Sequence, residues 1–304
     1  MNRVPFYFID VFAGRALEGA PLSLVVDADD VGEAQMRAIA REFNQSETTF
    51  VVRPTLPGAT WRLRSFTPIG AEVFGAGHNA LGAWLWLAGS GRLPLDSARS
   101  TFAQEIGRDV LPVEVIREED GRISVSMDQS APQFGDSVGD RAELAASLGL
   151  DEADIVSDQT AQVVSTGAGH LLVPLHDRAG VDRVVQDAPR LAAVLREVGG
   201  EGCYVYCLDP VDATSIAYAR FFNPTVGIVE DAATGTAAGP LVAFLVANGI
   251  ARGGTTSIVE QGYAMGRPSR IAVSVDGERV RVSGSGVVAA EGVLSLDSAS
   301  LHSG

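Results

Sequence analysis

Residues 64–89, RSFTPIGAEVFGAGHNALGAWLWLAG, and residues 220–249, RFFNPTVGIVEDAATGTAAGPLVAFLVANG, carry one pattern written twice. Arg64 matches Arg220, Phe66 matches Phe222, Pro68 matches Pro224, and Gly77 matches Gly235 after a two-residue difference in length. Each copy reads as a strand, a Gly-containing turn and an apolar helix. A chain of 304 residues is too long for the commonest single-domain size, so a repeat of this kind predicts two similar halves about a pseudo-two-fold axis. The first half is expected over 1–127 together with a returning C-terminal strand at about 289–304, and the second over 128–288. The polar stretch DQSAPQFGDSVGD (residues 128–140) is the expected linker.

Strand signals recur in FYFIDVF, LSLVVD, TTFVVRP, WRLRSF, LPVEVIRE, RISVSMD, AQVVSTG, HLLVPL, CYVYCLD, TSIAYARFF, RIAVSVDGERVRVSG and VVAAEGVLSL. Helical periodicity fits EAQMRAIAREF, RAELAASLGL, the segment Ala188–Val198 and the two repeated apolar helices. With few helical crossovers in view, the expectation is an α+β chain of antiparallel sheets wrapped around one or two helices.

A formal net charge of -15 opposes binding to phosphate backbones and anionic membranes, which excludes nucleic acid as a natural partner. An anionic substrate would have to be held by local backbone N–H groups rather than by net charge. The N-terminal MNRVPFYFIDVF reads as a strand and not as a signal peptide, so a cytoplasmic protein is expected. The chain lacks any apolar run of the roughly 18 residues that a membrane span needs.

The repeated turns can do chemistry. Each runs into the positive end of a helix, where backbone N–H groups lack intrahelical acceptors. If the two turns face each other they form one anion pocket, with Gly77 and Gly235 permitting close approach and His78 and Thr236 adding side-chain donors. The alternative is a pair of tight strand-to-helix connections. His78 and Asp231 are of the type that moves protons, whereas Glu230 reads better as a helix N-terminal charge preference. In NQSETTF (residues 44–50) a solvated turn glutamate and a functional one are equally good readings of the residues alone.

No metal is implied: His78, His170, His176 and His302 show no paired ligand spacing, and His170 and His176 read as strand-end or surface residues. No nucleotide cofactor is implied, in the absence of a Walker loop or a GxGxxG opening a helix. Cys203 and Cys207 share one face of a strand roughly 13 Å apart, which suits core packing rather than a disulfide.

Several stretches, in order along nearly the whole chain, resemble the PhzF-like phenazine-biosynthesis isomerases, related in fold to diaminopimelate epimerase. They are GAP (19–21), AREFNQSETTFV (40–51), RSFTPIGAEVFGAGH (64–78), GIVEDAATGTAAGPL (227–241) and QGYAMGRPSRI (261–271). The resemblance implies two similar halves, each an antiparallel barrel-like sheet around a central helix, and a cofactor-independent homodimer. It implies that Glu47 is the acid/base that moves a proton from C3 to C1 of trans-2,3-dihydro-3-hydroxyanthranilate, in a cleft between the halves. It also implies that Ser46, Gly77, His78, Asp231, Gly235 and Thr236 hold a small carboxylate-bearing substrate, with His78 and Asp231 positioning its polar groups. That chemistry asks for a partly buried Glu47 with a raised pKa. The chain departs from the family at Ala20, Gly75, Asn79, Ala232 and Thr236; Ala20 and Gly75 would enlarge the cleft if they line it. Alternatives that share the site are a racemase, epimerase or lyase on another amino or hydroxy acid, and a binding protein without turnover. Racemisation by two thiols is not expected, because Cys203 and Cys207 lie away from the matched turns.

Overall fold

A computed structural model describes residues 2–296. The chain divides into two compact units, residues 1–127 with 284–304, and residues 128–283. His302 and the last part of the expected C-terminal strand lie outside the described residues.

The chain runs β1 (Asn2–Val11), β2 (Ala20–Val25), α1 (Glu33–Phe43), β3 (Thr48–Val52), β4 (Trp61–Phe66), β5 (Glu72–Val73), α2 (His78–Gly89), β6 (Arg99–Ile106), β7 (Asp109–Arg117) and β8 (Ile123–Gln129). It continues through β9 (Gln133–Ser137), α3 (Arg141–Ser147), β10 (Gln162–Ser165), β11 (Gly169–Pro174), α4 (Arg178–Arg183), α5 (Ala188–Glu197), β12 (Gly202–Cys207), β13 (Ala217–Asn223) and β14 (Ile228–Asp231). It finishes with α6 (Gly235–Ala247), β15 (Thr256–Gln261), β16 (Ser269–Asp276), β17 (Arg279–Gly284) and β18 (Gly286–Leu296). The segment expected to be a linker therefore contains β9, paired with β10.

In the first unit the strands lie in the order β18, β1, β2, β3, β4, β6, β7, β8, with parallel pairing at β2–β3 and β4–β6 and antiparallel pairing at the other joints. In the second unit the order is β9, β10, β11, β12, β13, β15, β16, β17, with parallel pairing at β11–β12 and β13–β15. The succession of parallel and antiparallel joints is the same in both. The expectation of antiparallel sheets is thus corrected to mixed sheets in an α+β chain. The cause is helical crossovers: α1 joins β2 to β3, α2 joins β4 to β6, α4 and α5 join β11 to β12, and α6 joins β13 to β15, as parallel neighbours require.

The repeated helices are apolar on all sides because sheet surrounds them. Asn79–Ala88 of α2 and Ala237–Leu245 of α6 are buried throughout. Each fully buried Leu, Phe or Trp side chain contributes about 2 kcal/mol. Gly82 in α2 lets the helix approach β1 and β2, since a Cβ there would stand 2.6 Å from a Leu22 methyl and 2.8 Å from a Val11 methyl. By contrast α1 is amphipathic, burying Met36, Ile39 and Ala40 beside Phe50 and Phe66. Cys203 and Cys207 are free thiols in the second unit's core with Leu191, Leu195 and Phe222. No helix among the described residues is long and apolar enough to cross a membrane.

Each unit also ties down a loop with one buried glutamate. Glu105 on β6 accepts from the Thr55 and Leu56 backbone N–H groups at 2.5 and 2.8 Å and from the Thr55 hydroxyl at 2.6 Å. Burial opposes its charge, but these bonds prevail and hold its carboxyl below the ordinary range. Glu260 on β15 accepts from the Val211 and Asp212 N–H groups at 2.7 and 2.9 Å and from the Ser215 hydroxyl at 2.9 Å.

Candidate active site

In the first unit α1 ends on Asn44 in the left-handed conformation (φ 51°), with its N–H bonded to Ala40 O. The chain reverses through Gln45, Ser46 and Glu47 and enters β3, whose five residues are all buried. Glu47 is half-buried, its Oε2 atom wholly so, and it is fixed by the strand that follows. Ser46 is exposed, and its Oγ lies 3.4 Å from His78 Nε2 at the start of α2. The fold therefore brings Ser46 and His78 together, with Glu47 next in the chain.

Gly77 caps α2, and the Gly-rich turn before it is held by a residue that sequence reasoning left unassigned. Asn79, 2 % exposed, accepts from Gly77 N at 2.7 Å and donates to Gly75 O at 3.0 Å and Ser65 Oγ at 3.1 Å. Ser65 is in turn 2.8 Å from the Thr49 hydroxyl on β3. A buried amide two residues into an apolar helix was the signal available, because such a group is kept only when it is bonded.

In the second unit Asp231 closes β14, Gly235 and Thr236 open α6, and all three are half-buried. The Thr234 hydroxyl donates to Asp231 Oδ2 at 2.5 Å. Gln261, fully buried, donates through Nε2 to Asp231 O at 2.8 Å and Thr234 Oγ1 at 3.0 Å, and accepts from Thr234 N at 3.1 Å and the Tyr204 hydroxyl at 2.9 Å. Burial and the charge of Asp231 both push the Tyr204 phenol up, so it stays a neutral donor. Gln129 donates to Gly235 O at 3.0 Å and accepts from the Thr166 hydroxyl at 2.7 Å. Gln261 and Gln129 were likewise given no role from the sequence.

Glu230, read as a helix-end charge, instead pairs with Arg220 on β13 through bonds of 2.8 and 2.9 Å. His170 is the second residue of β11 and only 4 % exposed, which fits the strand-end reading and not the surface one, while His176 is exposed. Burial lowers the His170 pKa to about 4. The Cys203 and Cys207 thiols are pushed up by burial, Cys207 to about 11. No cluster of three or more His, Cys, Asp or Glu among the described residues has metal-binding geometry.

The model of the family described as phenazine biosynthesis-like protein matches residues 9–292. A trans-2,3-dihydro-3-hydroxyanthranilate isomerase of Pseudomonas chlororaphis is 34 % identical over 301 residues, covering 96 % of this chain and 99 % of that protein. The crystal structure of a Bacillus anthracis phenazine biosynthesis protein of the PhzF family superposes with a TM-score of 0.88 at 28 % identity, covering 97 % of this chain and all of that one. A hydroxyproline epimerase of Agrobacterium vitis shares the fold, with a TM-score of 0.65 at 11 % identity over 99 % of this chain and 93 % of its own.

Proposed function

The chain belongs to the phenazine biosynthesis-like protein family and is an isomerase, and we propose that it shifts a proton on a small carboxylate-bearing ring, using Glu47 as its acid/base and no cofactor. The observation that carries this reading is the 34 % identity to the Pseudomonas chlororaphis isomerase along 96 % of the chain. The half-burial of Glu47, next in the chain to the Ser46 that lies against His78, supports the role given to the carboxylate. With trans-2,3-dihydro-3-hydroxyanthranilate, Glu47 takes the proton from C3, the C–H electron pair enters the ring's π system, and the double bonds shift. The Glu47 carboxylic acid then returns a proton to C1 and is regenerated as carboxylate, so the reaction is balanced without oxidant or co-reactant. Ser46, Gly77, His78, Asp231, Gly235 and Thr236 are the groups we assign to holding the substrate. Backbone N–H groups at the starts of α2 and α6 suit its carboxylate and the negative charge that develops as the proton leaves. We also assign the two units to duplication of one ancestral element, which accounts for their matching strand orders.

The test is proton NMR in deuterium oxide with trans-2,3-dihydro-3-hydroxyanthranilate. Wild type is expected to form product carrying solvent deuterium, and Glu47→Gln to be slower by about 10²–10⁴, the usual worth of a general acid/base. A Glu47→Gln enzyme as fast as wild type removes Glu47 from the chemistry. Deuterium uptake confined to other amino or hydroxy acids favours the second reading, a racemase, epimerase or lyase at the same residues. The fold shared with the hydroxyproline epimerase supports that alternative. Thiolate bases are a poor fit for it, since Cys203 and Cys207 are buried with raised pKa values.

A further inference from the structure

His170 takes no part in the reaction above, yet its position is constrained on every side. It is the second residue of β11, 4 % exposed, with the Phe221 ring edge-on at 5.0 Å. Its strand neighbour is Gly202 on β12, where a Cβ would lie 3.1 Å from His170 Nδ1 and 2.5 Å from Phe221 Cζ, so the backbone closes that side. Nδ1 is buried without a hydrogen-bond partner. Nε2 lies 3.2 Å from Thr236 Oγ1.

A neutral imidazole carries its proton on one nitrogen, and the surroundings choose which. A proton on Nδ1 would bury an unsatisfied N–H, the rarer and costlier defect, whereas an unprotonated Nδ1 leaves only a lone pair unused. The proton therefore belongs on Nε2, from which it donates to Thr236 Oγ1. Two residues earlier the same pattern is complete: the Thr234 hydroxyl accepts from Gln261 Nε2–H and donates its own hydrogen to Asp231. We propose that His170 is a positioning residue which, by donating Nε2–H to Thr236, denies that hydroxyl an inward acceptor and turns its proton outward as a fixed donor to the substrate's carboxylate. The inference rests on the assignment of Thr236 to substrate holding. Burial keeps the ring neutral down to about pH 4, so the arrangement is constant across ordinary conditions.

Two measurements test it. In ¹⁵N-histidine-labelled wild type, the ring-nitrogen shifts of the histidine titrating near pH 4 should report the Nε2–H tautomer; the Nδ1–H tautomer overturns the proposal. This readout needs no substrate, so the Nδ1–H tautomer overturns the proposal whether or not trans-2,3-dihydro-3-hydroxyanthranilate is turned over, and a failure here is distinct from a failure of the substrate reading. With that compound as substrate, His170→Phe keeps the ring packing and should raise KM about 5- to 10-fold with kcat within about 3-fold, the size of one lost hydrogen bond. In a Thr236→Val background the same substitution should change KM by less than about 2-fold, because the hydroxyl it acts through is gone. An equal rise in KM in both backgrounds means that His170 is merely structural, and overturns the proposal.

Discussion

Arg64 and Arg220 stand at matching places in the two units, and each forks onto a glutamate of the short strand that follows, Glu72 on β5 and Glu230 on β14. Each guanidinium also lies over the Phe two residues on, at 5.1 Å for Phe66 and 4.9 Å for Phe222. The remaining N–H groups go to different places. Arg64 reaches the half-exposed Glu33 on α1 at 2.8 Å. Arg220 donates to the carbonyls of Val181, Asp182 and Val184 at 3.0, 3.2 and 3.0 Å, satisfying the end of α4. The local motif is thus the same, but in one unit its surplus donors make a surface ion pair and in the other they serve carbonyls of which those of Val181 and Val184 are buried. The energetic weight comes from the surroundings and not from the pair.

Arg220→Met leaves Glu230 and three carbonyls without their donor, and urea unfolding should show a loss of about 3–5 kcal/mol; a loss no greater than that of Arg64→Met would break the contrast. Next comes pH. The folded-state pKa of His170, about 4, lies below its ordinary 6.5, so the folded protein binds fewer protons than the unfolded chain between those values. Stability should be unaffected above pH 6.5, fall by about 3 kcal/mol as pH drops toward 4, and level off below, on top of whatever the carboxylates contribute. In His170→Phe this component should vanish from the stability–pH curve. The buried amides follow. Gln261→Leu, with four bonds lost, should cost about 3 kcal/mol, and Asn79→Leu, with three, about 2 kcal/mol, read as shifts in the urea midpoint. Arg64→Met is expected to be smallest, about 1 kcal/mol, because its extra partner is exposed. In that variant the Glu33 carboxyl, held near 2 by Arg64 and Arg37, should move up toward 4.5 in an NMR titration.

The matching stretches could be picked out because Arg, Phe, Pro and Gly recur at nearly fixed spacing, and the Arg and Phe of each stretch are in contact. The α+β class and α1, α2, α3, α5 and α6 followed from periodicity. β6 and β15 did not, and for the same reason. Each ends in buried polar residues, Gln104 and Glu105 or Glu260 and Gln261, which interrupt apolar alternation because they anchor a loop, a helix or a turn. β9 is exposed along its whole length, so QFGDS carried no burial pattern to read. Two of the parallel joints, β4–β6 and β13–β15, were missed because their return strands, β6 and β15, were not read as strands. Around the site, the residues that face substrate in the proposed reaction could be named, whereas Asn79, Gln261, Gln129 and His170, which hold them, are defined by partners distant in sequence.

β18 has a temporal consequence. Its pairing with β1 places Asn2 opposite Leu296, and β1 lies between β18 and β2 in the first unit's sheet. During synthesis β1 emerges well before its neighbour β18, with the whole second unit made in between. Until then one edge of β1 carries unpaired N–H and C=O groups, open to another nascent chain. The second unit, continuous in sequence from 128 to 283, has no such wait. A chain stalled before β18 would therefore fail in the first unit, at the edge of β1 that β18 closes.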